Sequence, residues 1–235
     1  MKEDDFSRYS RQIFIEEIGL EGQKKIRSSK VLVIGAGGLG SPVIQYLAAA
    51  GVGTLGVADC DEVELHNLNR QIIHTENRVG LSKVNSAETF VKELNHQVKL
   101  IGIEEKINGN NADNIISQYD VIVDGSDNFS TRYLVNDTCV TLKKTLVYGS
   151  ILGFSGQVSV FNHNGSKNLR DIFPEPPFDE DVADCDSLGV LGALPGMIGS
   201  MMALQALKII TGLPVSVNQL TLVDTLNWRF QTIDF

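Results

Sequence analysis

The chain has 235 residues, 43% of them hydrophobic, and a formal net charge of −9. That length suits one large domain or two small ones, with apolar side chains enough for a sizeable core. The charge argues against general binding of nucleic acid or of an anionic membrane, both of which need a basic face.

The first thirty residues are predicted to be helical. Phe6, Tyr9, Ile13, Phe14 and Ile18 recur at helical spacing, Gly19 is a stop, and a second short amphipathic helix runs to about Arg27. The opening Met1-Lys2-Glu3-Asp4-Asp5-Phe6 is acidic and unlike a secretory signal. Lys30–Ile34 reads as a buried parallel strand, followed by the turn Gly35-Ala36-Gly37-Gly38-Leu39-Gly40 and a helix from Ser41 to Ala50. Thr54–Ala58 is the next strand, ending at Asp59. The alternation continues with a helix over Lys83–Leu94, a strand over Val98–Ile103 and a short helix over Ala112–Ser117. Tyr119–Val123 then reads as a strand, Thr131–Leu142 as a helix and Thr145–Tyr148 as a strand.

After Gly149 the rhythm changes. Gln157–Phe161 is a further strand, and Asn162–Asp186 is polar and proline-bearing, a loop expected to be functional or mobile. An apolar helix spans Gly196–Ile210, and strands near Leu220–Val223 and Arg229–Ile233 should pair antiparallel. The expected class is α/β and Rossmann-like: a mostly parallel sheet flanked by helices, with antiparallel C-terminal strands. One domain is expected over 1–235, with helices in 1–29, a nucleotide-binding half in 30–150 and a crossover loop and C-terminal part in 151–235. No apolar run reaches the roughly 18 residues of a membrane span. Cys60, Cys139 and Cys185 lie far apart, form no C-x-x-C pair and fit a reducing cytoplasm.

Gly35-x-Gly37-x-x-Gly40 follows a strand and opens a helix, the context a phosphate-binding turn requires. Asp59, at the end of the second strand, can accept from ribose hydroxyls. The turn alone does not separate ATP from a nicotinamide cofactor. Asn67, Arg70 and Gln71, with Lys83 beyond them, could neutralise a triphosphate, or the two cations could be solvated loop residues. Asp127 in Asp124-Gly125-Ser126-Asp127-Asn128 sits where a carboxylate could hold Mg²⁺, or could simply cap the Thr131 helix. His66 and His74 are isolated, with no metal expected there, and Met197, Met201 and Met202 read as core or dimer interface.

In combination these motifs carry a resemblance. Arg8-Tyr9-Ser10-Arg11-Gln12-Ile13, the GAGGLGS turn, the NLNRQ segment, Lys83 and SDN-x-x-TR occur in the order seen in the ThiF/MoeB/HesA adenylyltransferases, relatives of the ubiquitin-activating enzymes. The resemblance implies that ATP·Mg²⁺ adenylates the C-terminal Gly-Gly carboxylate of a small ubiquitin-like sulfur carrier. Within the family it leans to the members that serve thiamine biosynthesis, with the molybdopterin-synthase carrier as the alternative. A nicotinamide-dependent oxidoreductase is the reading from another class.

By position, the resemblance sets Gly38 and Gly40 against the nucleotide, Asp59 on the ribose, Asn67, Arg70, Gln71 and Lys83 on the phosphates, and Asp127 on the metal. Arg11 matches an arginine that members insert into the partner subunit's site, which implies a homodimer. Most members also hold a structural zinc on two C-x-x-C pairs. Here the first position reads Asn168-Leu169-Arg170-Asp171 and the chain ends Thr232-Ile233-Asp234-Phe235, so no structural zinc is expected. Without that staple the loop Asn162–Asp186 is expected to be poorly ordered. Cys185 stands where members have a cysteine able to form an acyl-disulfide with the carrier. Its flanking Asp184 and Asp186 should oppose the thiolate, so a covalent role and a bystander thiol both stay open. No rhodanese-like stretch lies within these residues, so the sulfur is expected from another protein.

Overall fold

A computed structural model describes residues 3–177 and 189–235. Helices α1 (Glu3–Ile13) and α2 (Gly19–Ser28) precede the sheet. Only part of the predicted apolar stripe packs inward: Tyr9 and Ile13 are buried, while Phe6 and Phe14 meet edge to face at 6.1 Å in the open. Asn95 Nδ2 donates to Tyr9 Oη (2.9 Å) and Gln12 Nε2 to the Ala50 carbonyl (2.8 Å), which fixes α1 over the far end of the first sheet helix.

Eight strands form one sheet in the order β3-β2-β1-β4-β5-β6-β7-β8. They are β1 (Lys30–Ile34), β2 (Thr54–Ala58), β3 (Lys99–Ile103), β4 (Val121–Asp124), β5 (Thr145–Leu152), β6 (Ser155–Phe161), β7 (Gln219–Asp224) and β8 (Arg229–Asp234). Strands β3 through β5 are mutually parallel, and β6 to β8 continue antiparallel. Alternation along β1 divides the core. Val31 and Val33 pack with α3 (Gly40–Ala50), α4 (Lys83–Leu94) and the long C-terminal helix, whereas Leu32 and Ile34 pack with α5 (Ala112–Ile116) and α6 (Phe129–Leu142). A short helix, α7 (Leu169–Ile172), and α8 (Ala193–Thr211) complete the set. The Rossmann-like class read from the sequence is the observed one.

The differences have local causes. Strand β5 runs to Leu152 because beyond Tyr148 it goes on pairing with β6 as a hairpin, so Gly149 does not break it. Tyr119 precedes β4; its ring fills the space beside Gly56. Helix α8 begins at Ala193, ahead of the predicted Gly196, because Pro195 is tolerated in a first turn. With 19 residues and a window of mean hydropathy 1.4, α8 is long and apolar enough to cross a membrane, contrary to the reading of the apolar runs. It packs instead against α2, α3, β4, β5 and β6.

The segment at Asn162 is organised up to Pro177. Asn168 and Asp171 cap α7 reciprocally, Arg170 grips both oxygens of Asp137 at 2.8 Å, and its guanidinium lies 4.8 Å over the Tyr133 ring. Tyr133 Oη lies 3.0 and 2.8 Å from the Phe173 and Glu175 carbonyl oxygens, which share its one proton. Polar contacts therefore order the stretch expected to be loose as far as Pro177, and positions 178–188 lie outside the described residues.

Candidate functional site

Strands β1 and β4 are neighbours, but the chain leaves them toward opposite edges of the sheet. A crevice opens beyond their carboxyl ends, the place where open α/β sheets bind ligands. The two loops there are locked backbone to backbone. Gly35 takes φ +88°, and a Cβ on it would press to 2.8 Å from the Gly125 carbonyl oxygen. A Cβ on Gly40 would land on the Gly35 carbonyl oxygen. The two turns thus form the floor of a cleft of about 380 Å³.

Asp59 enters from the end of β2. Its Oδ2 accepts from Ala36 N (2.7 Å) and its Oδ1 from Asp61 N (2.9 Å), so the carboxylate holds the glycine turn in shape. Burial pushes its pKa up, against the pull of Lys83 and the two amides. His74 supports the turn from beneath. Its Nε2 lies 2.9 Å from the Ala36 carbonyl oxygen, which can only accept, and its Nδ1 lies 2.8 Å from Ser86 Oγ. Burial lowers the His74 pKa, which keeps the ring neutral.

The single turn Leu65–Asn67 delivers the next residues. Asn67 Oδ1 accepts from Glu64 N (3.0 Å), and the Asn67 carbonyl accepts from Arg70 N and Gln71 N (3.0 and 2.9 Å). Arg70 Nη1 donates to the His66 carbonyl (3.0 Å). Gln71 is buried, and its Oε1 has no hydrogen-bond partner among the described residues. Such an acceptor suits a ligand that bears hydroxyl or amino groups. Lys83, at the start of α4, is buried and pairs with Asp61 at 2.8 Å.

From β4, Asn128 rather than Asp127 caps α6, with Oδ1 accepting from Thr131 N (2.9 Å). That leaves Asp127 on the cleft wall as an exposed carboxylate. Arg132, one turn into α6, is buried on the same wall. It donates to the carbonyls of Gly149 (2.8 Å) and Ser126 (2.5 Å) and lies 5.2 Å over the Tyr148 ring. Beneath it Asp124 is fully buried, with its pKa raised by burial and Arg132 opposing the shift.

Of the residues singled out from sequence, the cleft brings together Gly38, Asp59, Arg70, Gln71, Lys83 and Asp127. Gly40 lies under the turn, Asn67 builds the loop behind Arg70, and Arg11 is exposed on α1, none of them on this wall. Cys185 lies outside the described residues. Cys139 is packed inside α6, its thiol pushed up by burial, and Cys60 is exposed. Among the described residues no three His, Cys, Asp or Glu side chains gather as a metal cluster. A magnesium ion needs only one or two carboxylates when phosphates supply the rest, and Asp127 meets that requirement. Sequence reasoning assigned no role to Asp61 or Arg132. Both left a signal: Asp59 and Asp61 sit two apart after a strand, and Arg132 closes the SDN-x-x-TR stretch.

Comparison with known proteins adds a family. The family model described as "ThiF family" matches residues 9–235. The chain is 50% identical over 212 residues to "Adenylyltransferase and sulfurtransferase MOCS3" of Culex quinquefasciatus, covering 90% of this chain and 48% of that one. It is 48% identical over 230 residues to the Xenopus laevis protein of that name, covering 97% and 51%. The chain thus spans about half the length of the curated relatives it matches. Among solved structures, PaaA superposes with TM-score 0.85 at 20% identity, over 100% of this chain and 74% of that one. The structure titled E. coli MccB + ATP gives 0.84 at 20% identity, over 97% and 71%. At that identity these two speak for the fold alone.

Proposed function

The chain belongs to the ThiF family, and from that premise we propose that it adenylates a carboxylate with ATP, its acceptor being the C-terminal glycine of a small ubiquitin-like sulfur carrier. One observation carries the reading: Arg70 and the buried Lys83 share a cleft with the glycine turn and Asp127 at the sheet's switch point. Two cations beside a phosphate-binding turn suit a triphosphate, and a nicotinamide enzyme has less need of them. That MccB has been solved with ATP on the same fold is consistent with this choice.

In the proposed reaction a carboxylate oxygen of the carrier attacks the α-phosphorus. The bond from that phosphorus to the bridging oxygen breaks, and the electron pair leaves with pyrophosphate, giving the acyl-adenylate. The nucleophile is already anionic, so no base is required, and catalysis reduces to alignment and charge stabilisation. The glycine turn and the first amides of α3 receive a phosphate, Asp59 accepts from the ribose, and Arg70, Gln71 and Lys83 hold the phosphates. Asp127 would hold Mg²⁺, which would supply positive charge beside the phosphates. Arg11 of the partner subunit would complete the site in a homodimer.

The molybdopterin-synthase carrier is the better-supported acceptor, ahead of the thiamine carrier to which the motifs leaned. The relatives at 46–50% identity carry the name MOCS3, which points to molybdenum-cofactor biosynthesis. The match covers about half of each, so sulfur transfer is not carried over from their name. The test is ATP–pyrophosphate exchange with purified carriers of both kinds, each ending in Gly-Gly. Exchange with the molybdopterin-type carrier alone is expected. Exchange only with the thiamine type would reverse the choice of carrier, and none with either would end the reading. Arg70→Ala should abolish exchange.

A further inference from the structure

Residue 61 grips residue 83 at both ends. The Asp61 carbonyl accepts from Lys83 N (2.9 Å), and Asp61 Oδ2 accepts from Lys83 Nζ (2.8 Å). Alongside, Val63 N donates to the Leu81 carbonyl (2.8 Å) and Gly80 N to the Val63 carbonyl (2.9 Å), so the strand end after β2 is zipped to the approach to α4. The Lys83 side chain is 8% exposed and that of Asp61 62%, an uneven pair in which the cation is the buried member. An ammonium group has three donors. One goes to Asp61, which leaves the others for a ligand, and both residues line the nucleotide cleft.

We propose that Asp61 is a positioning residue that aims Lys83 into the cleft and, through its own negative charge, weakens the cleft's hold on pyrophosphate so that the product leaves. The inference rests on the adenylation reading. A phosphate oxygen bonded to the same nitrogen would stand within roughly 5 Å of the Asp61 carboxylate. At that distance like charges repel appreciably, and Asp59 adds to the effect from the same cleft. Lys83 therefore gains its orientation from a group that opposes the very anion it binds. Asp61 is expected to be fully ionised in this role, since the hydrogen bond from Lys83 holds its carboxyl below the usual range.

The test uses the full chain and magnesium pyrophosphate, first without any carrier. Asp61→Asn keeps an acceptor oxygen for Lys83 and removes the charge. Calorimetric titration should show pyrophosphate binding about tenfold tighter than to wild type. In turnover with carrier, kcat and the KM for ATP should both fall, the mark of slowed product release. A purely structural clip would lower the melting temperature and activity without tightening pyrophosphate. Should Asp61→Asn fail to fold, Asp61→Ser takes its place with the same expectation, because it too offers an uncharged acceptor. Equal or weaker pyrophosphate binding by the folded variant overturns the proposal. If wild type binds and exchanges pyrophosphate normally in that case, the adenylation reading stands. A wild-type chain that neither binds nor exchanges pyrophosphate sinks both.

Discussion

At the scale of single residues, the cleft depends on buried polar groups whose partners are backbone carbonyls. Arg132 satisfies two of them, and truncation would leave Gly149 and Ser126 oxygens in a buried setting without donors. Each such loss costs about 1–3 kcal/mol, so Arg132→Ala should lower unfolding stability by about 2–6 kcal/mol. Urea denaturation measures this, and an unchanged midpoint would contradict the assignment. His74 makes a pH prediction. Its folded pKa is depressed by burial, so its contribution is complete above the ordinary histidine pKa and is lost as pH falls below it. The melting temperature should decline from pH 7 to 5.5, with a slope from this group of at most about 1.4 kcal/mol per pH unit. His74→Gln should flatten that decline; an identical slope in the variant would assign it to other groups.

At the scale of elements, α7 and its surroundings hold the place where related proteins are expected to carry zinc. The Arg170–Asp137 pair is about two-fifths exposed on each side, so its worth is that of a surface ion pair, about 0.5–1 kcal/mol. Asp137 is held below the usual carboxylate range, chiefly by its hydrogen bond from Arg170. That stability is present above the unfolded carboxylate pKa and disappears as pH falls through the lower folded value. Arg170→Ala should therefore cost about 1–4 °C of melting temperature at neutral pH and less in acid. Treatment with a zinc chelator should change nothing, and a drop after chelation would reveal a metal that the described residues do not account for. How much of this was legible beforehand follows the reach of each signal. Strand β1 and the helix after it were readable because Val31 to Ile34 and the Gly35 turn impose their conformation locally. The continuation of β5 past Gly149 was not, since only its β6 partner makes that glycine part of a strand. Asp61 and Arg132 were missed for a like reason: their partners, Lys83 and the Gly149 carbonyl, are distant in the chain. The capping role weighed for Asp127 belonged to Asn128, one residue on, a distinction set by side-chain geometry alone.

At the scale of the whole molecule, Phe6, Phe14, Ile15 and Leu20 remain exposed around the α1–α2 turn, near the arginine proposed to serve a second copy. If Arg11 of the partner subunit completes each cleft, an inactive Arg11→Ala protein mixed with an inactive Lys83→Ala protein should recover about a quarter of wild-type exchange after subunit reshuffling. No recovery, with mixed dimers verified, would place Arg11 in its own subunit's cleft and not in the partner's. The interlocked turns have a further consequence, for how this sequence can change. Gly35 and Gly40 exclude side chains because each would strike the backbone of the other turn or of its own, while a Cβ on Gly125 would sit tightly at 3.1 Å from Gly40 N. Backbone cannot be trimmed by mutation the way a side chain can, so no second-site substitution can make room. In a randomised library of positions 35, 40 and 125, selection should return glycine at 35 and 40 together, with alanine at most tolerated at 125. The usual compensating doubles should be missing, which makes this corner of the fold a fixed point around which the acceptor-binding surface is free to diversify.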